Sequence, residues 1–196
     1  VFDVLARQLS RGLSRPLSKS LAGISPVTDG MTLTASWTVR GTSYSDLSDA
    51  TAASVRVDAT ISNTDEGVLM EAGAGGSGLV LYTFGGVLYF QCGNGGSFGT
   101  AANRAEVSYT LPSGTITPII EWSADASNAV LYIDGIEVDS QVFSNSSIAG
   151  SDAGAVGRVI NSAAANRGGW TSNGSGDFPN TITLCNIFDG QVTPDV

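Results

Sequence analysis

Acids close enough to act together lie at two places in this sequence. In "DEGVLME", Asp65, Glu66 and Glu71 flank a turn; in "EWSAD", Glu121 and Asp125 straddle the end of a strand and the turn after it. Two carboxyls about 5–5.5 Å apart suit a retaining glycoside hydrolysis, and a gap of about 6.5–9.5 Å suits an inverting one. Residues i and i+2 of one strand face the same side, so such acids could serve. Solvated turn acids explain both groups more simply, and no catalytic residue is assigned. The chain contains no histidine. That removes Ser-His-Asp and Cys-His nucleophile arrangements together with the commonest zinc ligand. The protein is therefore read as a non-enzyme, with glycoside hydrolysis as a third possibility behind two binding roles.

Two glycine-rich stretches carry the groups that hold sugars, which need an aromatic face for stacking and amide, carboxylate or guanidinium groups for hydroxyls. "ANRGGWTSNGSGDF" offers Asn166, Arg167, Trp170, Asn173 and Asp177, and "CGNGGSFGTAANR" offers Asn94, Phe98, Asn103 and Arg104. A cap on the core or a contact with a neighbouring subunit explains Trp170 more simply. "SADASN" and "SNSSIAGSD" contain oxygens of the kind calcium takes, but the first reads as a turn, and neither a metal nor a cofactor is assigned. Asn145 and Asn173 head Asn-x-Ser triplets, which a Ser- and Asn-rich chain contains by chance. The glycines of "GAGGSG" and "GNGG" do not sit between a strand and a helix, so they make no phosphate-binding loop.

A third chemistry belongs to the first two dozen residues. Leu5, Leu9, Leu13, Leu17 and Leu21 recur every four positions, and Arg7, Arg11, Arg15 and Lys19 do so with an offset of two. On a helix the two sets would lie on opposite sides. Gly12 and Pro16 limit that helix to about residues 2–11, followed by an extended passage to Pro26. Arginine interrupts every apolar core a secretory signal would need. A mitochondrial presequence, a membrane-surface helix, a flap on the chain's own body and a docking arm on a partner protein all fit in part; we expect the docking arm. Each leucine buried on the partner would contribute up to about 2 kcal/mol, less the ordering cost, and the cations would set the register.

The remainder must position these groups. The chain has 196 residues, 42% hydrophobic and 14% charged, with a formal charge of −9. Residues 25–196 hold five Arg against 17 acids, a net −12 that repels nucleic acid phosphates. No apolar run approaches the roughly 20 residues of a membrane-spanning helix. From Met31 on, period-two runs alternate with turns: "MTLTASWTV" places Met31, Leu33, Ala35, Trp37 and Val39 on one face, and "ASVRVDATIS" aligns Val55, Val57, Ala59 and Ile61. Gly85-Gly86 and Asp134-Gly135 mark two-residue hairpins. The count is eleven to thirteen strands. Cys92 and Cys185 each lie in an apolar run; buried free thiols are the simpler reading and a disulfide the other.

"ITPIIEWSADASNAVLYIDGIEVDS" resembles concanavalin A-like lectin/glucanase jelly rolls, laminin-G-like domains in particular. "GLVLYTFGGVLYFQCGNG" is similar to the preceding hairpin of that family, and "ITLCNIFDGQV" to its last strand, which returns beside the first. The resemblance covers roughly residues 28–193 and implies an all-β, two-sheet antiparallel sandwich; with the ribbon, the chain is expected to divide into an extended or short-helical arm at 1–26 and a sandwich at 27–196. It implies no activity: Ser123 stands after Trp122 where laminin-G domains often have histidine, and the Glu-x-Asp-x-x-Glu cluster of the glucanases is missing. Arms of "LSR" spacing ahead of such a domain resemble those of structural proteins of tailed bacteriophages. The expected function is accordingly a virion structural protein, a capsid decoration or head or tail accessory. It would bind other virion proteins through its arm, as a homo-oligomer or in multiple symmetric copies, without nucleic acid or membrane. The alternative is a lectin-like module for surface glycans, acting through the Trp170 loop.

Overall fold

The structure is a computed structural model and describes residues 32–33, 37–38, 43–44, 52–74, 77–93, 104–125, 127–142, 154–158 and 176–189. Leu5, Arg7, Leu9, Arg11, Leu13, Arg15, Leu17, Lys19 and Leu21, expected to form a docking arm, lie outside that set.

The described residues form fifteen strand elements and no helix. They are β1 (Thr32–Leu33), β2 (Trp37–Thr38), β3 (Ser43–Tyr44), β4 (Ala52–Ala59), β5 (Ile61–Ser62), β6 (Gly67–Ala74), β7 (Ser77–Phe84) and β8 (Val87–Gly93). Then follow β9 (Arg104–Thr110), β10 (Thr115–Ile116), β11 (Ile119–Asp125), β12 (Asn128–Ile133), β13 (Ile136–Val142), β14 (Gly154–Val156) and β15 (Thr181–Asp189). One sheet runs β1-β15-β4-β11-β12-β13, with β2 also on β15; the other runs β3-β14-β6-β7-β8-β9; β5 and β10 form a short ribbon. All ladders between these strands are antiparallel. The expected two-sheet sandwich is thus present. β15 lies between β1 and β4, which is the return of the last strand that the resemblance implied. The strand count exceeds the expected one because runs read as single strands divide. "MTLTASWTV" contributes the separate pieces β1 and β2, and "ASVRVDATIS" is cut at Thr60, whose N–H is drawn to the Thr181 carbonyl at 2.8 Å.

Both hairpins sit where the turn residues place them. Gly85 and Gly86 have φ of 59° and 79°, and Asp134 and Gly135 have 53° and 80°, the doubly positive pattern that lets a two-residue loop follow the strand twist. Asp134 also reaches across to a neighbouring strand. Its backbone N–H bonds the Ile119 carbonyl at 2.8 Å, and its Oδ1 accepts from the Ile119 N–H at 2.9 Å. The tip of the β12–β13 hairpin is thereby tied to the start of β11.

The core lies between the sheets. Val55, Val57, Ile120, Trp122, Leu131 and Ile133 come from the first sheet, and Leu79, Leu81, Leu88, Phe90, Cys92 and Val107 from the second. Phe90 and Trp122 stack across the gap, with centroids 4.1 Å apart and planes 15° from parallel. Truncating a buried aromatic of this kind typically costs about 3–5 kcal/mol.

At one side of the sandwich the edge strands β9 and β13 meet without a main-chain ladder. Side chains of β13 do the pairing: Asp139 Oδ2 accepts from the Ser108 N–H at 2.8 Å and Gln141 Oε1 from the Glu106 N–H at 2.7 Å. The open edge of β9 is satisfied in this way, and its register against β13 is fixed.

At the other side the chain folds back onto β6. Val68 N–H bonds the Gly176 carbonyl, Gly157 N–H that of Leu69, and Phe178 N–H that of Gly157, at 2.8–2.9 Å. Gly67 makes this approach possible: a Cβ there would lie 2.7 Å from the Asp177 carbonyl oxygen and 2.8 Å from Phe178 Cα. Both are backbone atoms and cannot swing aside.

This packing makes two measurable demands. Gly67→Ala lowers stability by about 2 kcal/mol or more, read as a shift of the urea midpoint. Cys92 and Cys185 are free and buried; burial pushes the Cys185 thiol up to about 12 and the Cys92 thiol higher still, where the Asp125 charge adds to the effect. Neither reacts with a thiol reagent in the folded protein, and both react once it is unfolded; a fast reaction of either in native buffer contradicts the packing.

Candidate functional site

The outer face of the second sheet, turned away from the core, gathers the polar and aromatic groups best suited to a ligand. Register makes three rows. Asp177, Val68, Tyr82, Tyr89 and Ser108 align in the first, and Glu71, Val80, Gln91 and Glu106 in the second. The third consists of Gly73, Gly78 and Gly93 and ends at Arg104. Three strands thus present no side chain at one level of this face. Glycine inside strands marks places where a ligand or another backbone comes close.

Side chains of the first two rows interlock. Gln91 Nε2 donates to Tyr82 Oη at 2.7 Å and to Glu106 Oε2 at 2.6 Å, and the same oxygen pairs with Arg104 Nη2 at 3.1 Å. The Tyr82 and Tyr89 rings stack with centroids 5.1 Å apart. Val68, Val80 and Tyr82 form a small apolar cluster of their own under Phe84 and Tyr89. Tyr82, Gln91 and Glu71 are buried, whereas Tyr89, Ser108, Arg104 and Glu106 are part-exposed. The accessible part of the face is therefore an aromatic ring beside a carboxylate and a guanidinium, each held by a neighbour. The Gln141 bond to the Glu106 N–H fixes the strand that carries two of the three.

Of the residues expected to bind glycan, Asp177 lies at the β6 end of the first row and Arg104 at the β9 end of the third. Asn166, Arg167, Trp170, Asn173, Asn94, Phe98 and Asn103 fall outside the described residues. Of the described residues that flank Asn166 to Asn173 in the chain, Gly157 and Gly176 are both hydrogen-bonded to β6. Sequence reasoning did not single out Tyr82, Tyr89, Gln91 or Glu106. One signal was available: "LVLY" is apolar at both phases of the strand, which marks a strand with both faces covered.

The acids read first in the sequence divide. Asp65 and Glu66 are turn acids as expected: Asp65 Oδ2 accepts from the Ser62 N–H at 2.7 Å and Asn180 Nδ2 at 3.3 Å, and Glu66 Oε1 from the Gly85 N–H at 3.3 Å. Glu71 is not a solvated turn acid. The strand begins at Gly67, which puts Glu71 in mid-strand, wholly buried. Asp125 closes the β11–β12 turn, its Oδ1 accepting from Ser127 N, Ser127 Oγ and Asn128 N at 2.7–2.8 Å. Desolvation pushes this carboxyl up, but the three hydrogen bonds outweigh it, and the net shift is downward. An oxygen so engaged has little left for calcium.

Glu121 belongs to a second polar row, on the outer face of the first sheet, where Asn186, Arg56, Glu121, Tyr132 and Glu137 align. Arg56 forks onto Asp58, with Nε–Oδ1 at 2.9 Å and Nη2–Oδ2 at 3.1 Å. Burial raises the Glu121 pKa, Arg56 opposes the rise, and Asp58 adds a smaller upward push. A raised glutamate near a second carboxylate is half of a glycosidase arrangement. Here the guanidinium occupies both oxygens of Asp58, so the partner is paired rather than poised for attack.

No family model matches the chain, and no curated protein matches it. Solved structures do. The CBM40 module of the Ruminococcus gnavus IT-sialidase is similar with a TM-score of 0.55 at 14% identity, over 82% of this chain and 94% of that one. The same module bound to α2,6-sialyllactose gives 0.54 at 13%, over 80% and 92%. The binding domain of botulinum neurotoxin DC in complex with SialylT gives 0.51 at 12%, over 71% of this chain and 32% of that one. This chain spans about a third of that toxin fragment. At these identities the likeness is one of fold: a β-sandwich of the lectin-like kind.

Ionisation of Glu121 supplies a check on the second row. Its folded-state pKa lies above the unfolded one, so its contribution to stability is complete below the unfolded value and is lost as pH rises through the folded value. Glu121→Gln therefore flattens the dependence of Tm on pH just above the ordinary glutamate range. A profile identical to that of the unsubstituted protein contradicts the burial of this carboxyl.

Proposed function

We propose that this chain is a non-catalytic glycan-binding module whose site is the outer face of the β6–β9 half of the second sheet. The observation that carries the reading is the row chemistry there: Tyr89 stacked on Tyr82, beside the bonded set Gln91, Glu106 and Arg104. A sugar offers an apolar ring face and a rim of hydroxyls, and this patch offers an aromatic ring and oriented polar groups on two adjacent strands.

Fold neighbours support this reading above the virion one. The CBM40 module carries α2,6-sialyllactose in one of its structures. The expected virion role drew on the leucine and arginine ribbon, which is outside the described residues, and none of the neighbours named here is a virion protein. Hydrolysis has less support than binding, since the acid with a raised pKa faces a carboxylate already committed to Arg56.

A glycan array followed by calorimetry on the best ligand tests the proposal. The protein binds at least one glycan class, and Tyr89→Ala weakens that binding about tenfold or more, equivalent to about 1.4 kcal/mol, with unchanged circular dichroism. Glu106→Gln weakens it as well while retaining the ring. Full affinity in both variants removes this face from the site.

A further inference from the structure

Resting on the glycan-binding reading, we infer that this site selects neutral glycans and rejects those ending in a carboxylated sugar. Recognition of an anionic sugar needs a cation whose charge is still available. Among the described residues the cations are Arg56, Arg104 and Arg158. Arg56 is forked onto Asp58 and lies on the other sheet. Arg158 follows β14, at the margin of the second sheet opposite β9. Arg104, at the proposed site, is engaged with Glu106 at 3.1 Å, and that same carboxylate oxygen accepts from Gln91 at 2.6 Å.

An incoming carboxylate would have to share one guanidinium with Glu106, or displace it and leave Glu106 beside a second negative charge. Glu71 stands in the same row as Glu106, two strands beyond Gln91. The wider field has the same sign, since residues 25–196 carry five Arg against 17 acids. A surface of one sign repels like-charged ligands, and salt weakens the repulsion. Sugar hydroxyls, by contrast, donate to carboxylate and amide oxygens without bringing charge. The acceptor-rich pair Glu106 and Gln91 suits them.

The fold neighbours make this a specific claim, because the CBM40 module and the toxin domain have structures with sialylated ligands. The test uses the whole chain with matched pairs of glycans that differ only in a terminal sialic acid, lactose against α2,6-sialyllactose among them. Titration at low ionic strength gives affinities for the neutral member at least about tenfold higher. Raising the ionic strength narrows the gap, and Glu106→Gln narrows it at fixed ionic strength by releasing Arg104. Equal or tighter binding of the sialylated members overturns the inference while leaving the glycan-binding reading standing. A gap that responds to neither salt nor Glu106→Gln overturns its electrostatic basis. Failure to bind any glycan, neutral or charged, overturns the glycan-binding reading itself, and this inference with it.

Discussion

The stack of Phe90 on Trp122 is the contact on which the rest of the molecule depends. Two sheets can face each other only across a gap of about 10 Å, and that gap must be filled to crystal-like density. Centroids 4.1 Å apart, with one ring from each sheet, fill its middle. Trp122 is met on its own strand level by Val55 and Leu131, and Phe90 by Leu81 and Val107. The period of two then fixes everything else. With Trp122 inward, Glu121 and Ser123 face outward; with Phe90 inward, Tyr89 and Gln91 do so. A one-residue slip would exchange the faces and bury the charged row. The indole Nε1–H has no hydrogen-bond partner among the described residues, a cost of about 1–3 kcal/mol that the burial of so large a ring outweighs.

Closure of the sandwich is asymmetric, and the asymmetry serves the proposed site. Along the β9–β13 seam two side-chain acceptors take the place of a ladder. Gln141 holds the Glu106 N–H and Asp139 the Ser108 N–H. Strand β9 is thereby immobilised at the level of Glu106 and Arg104. Along β6, backbone bonds tie Gly157 to Leu69 and Gly176 to Val68, and Phe178 to Gly157. A binding face needs groups held in place before the ligand arrives, and this sheet is held at β9 and at β6.

Under the proposed function, charge separates binding from catalysis. The chain has few cations, and two of the described ones, Arg56 and Arg104, are spent on carboxylates within two residues of themselves. Such i, i+2 pairs neutralise a strand face locally and leave hydroxyl-compatible acceptors rather than an activated nucleophile. A fold of this kind hosts many functions, so function follows from the outward rows and not from the sandwich.

Local physics was enough to show the sandwich in the sequence. Alternation marked Val55, Val57, Ala59 and Ile61 as one buried face, Gly85-Gly86 and Asp134-Gly135 marked the turns, and apolar context marked both cysteines as buried. Each of these depends on neighbours within a few residues along the chain. Of the proposed site, the sequence marks only the marginal residues Arg104 and Asp177 as glycan-binding candidates. The centre of the site joins Tyr82, Gln91 and Glu106, which are 9 and 15 residues apart along the chain and meet solely through the registers of three strands. Glu71 looked like a turn acid until the start of β6 at Gly67 carried it into the sheet, and the seam pairs residues 31 and 35 positions apart. The sequence alone determined which residues alternate and where the chain turns, because those are short-range properties of the backbone. Which outward side chains share a row was decided only by the tertiary structure, because register is set by the packing of the two sheets against each other.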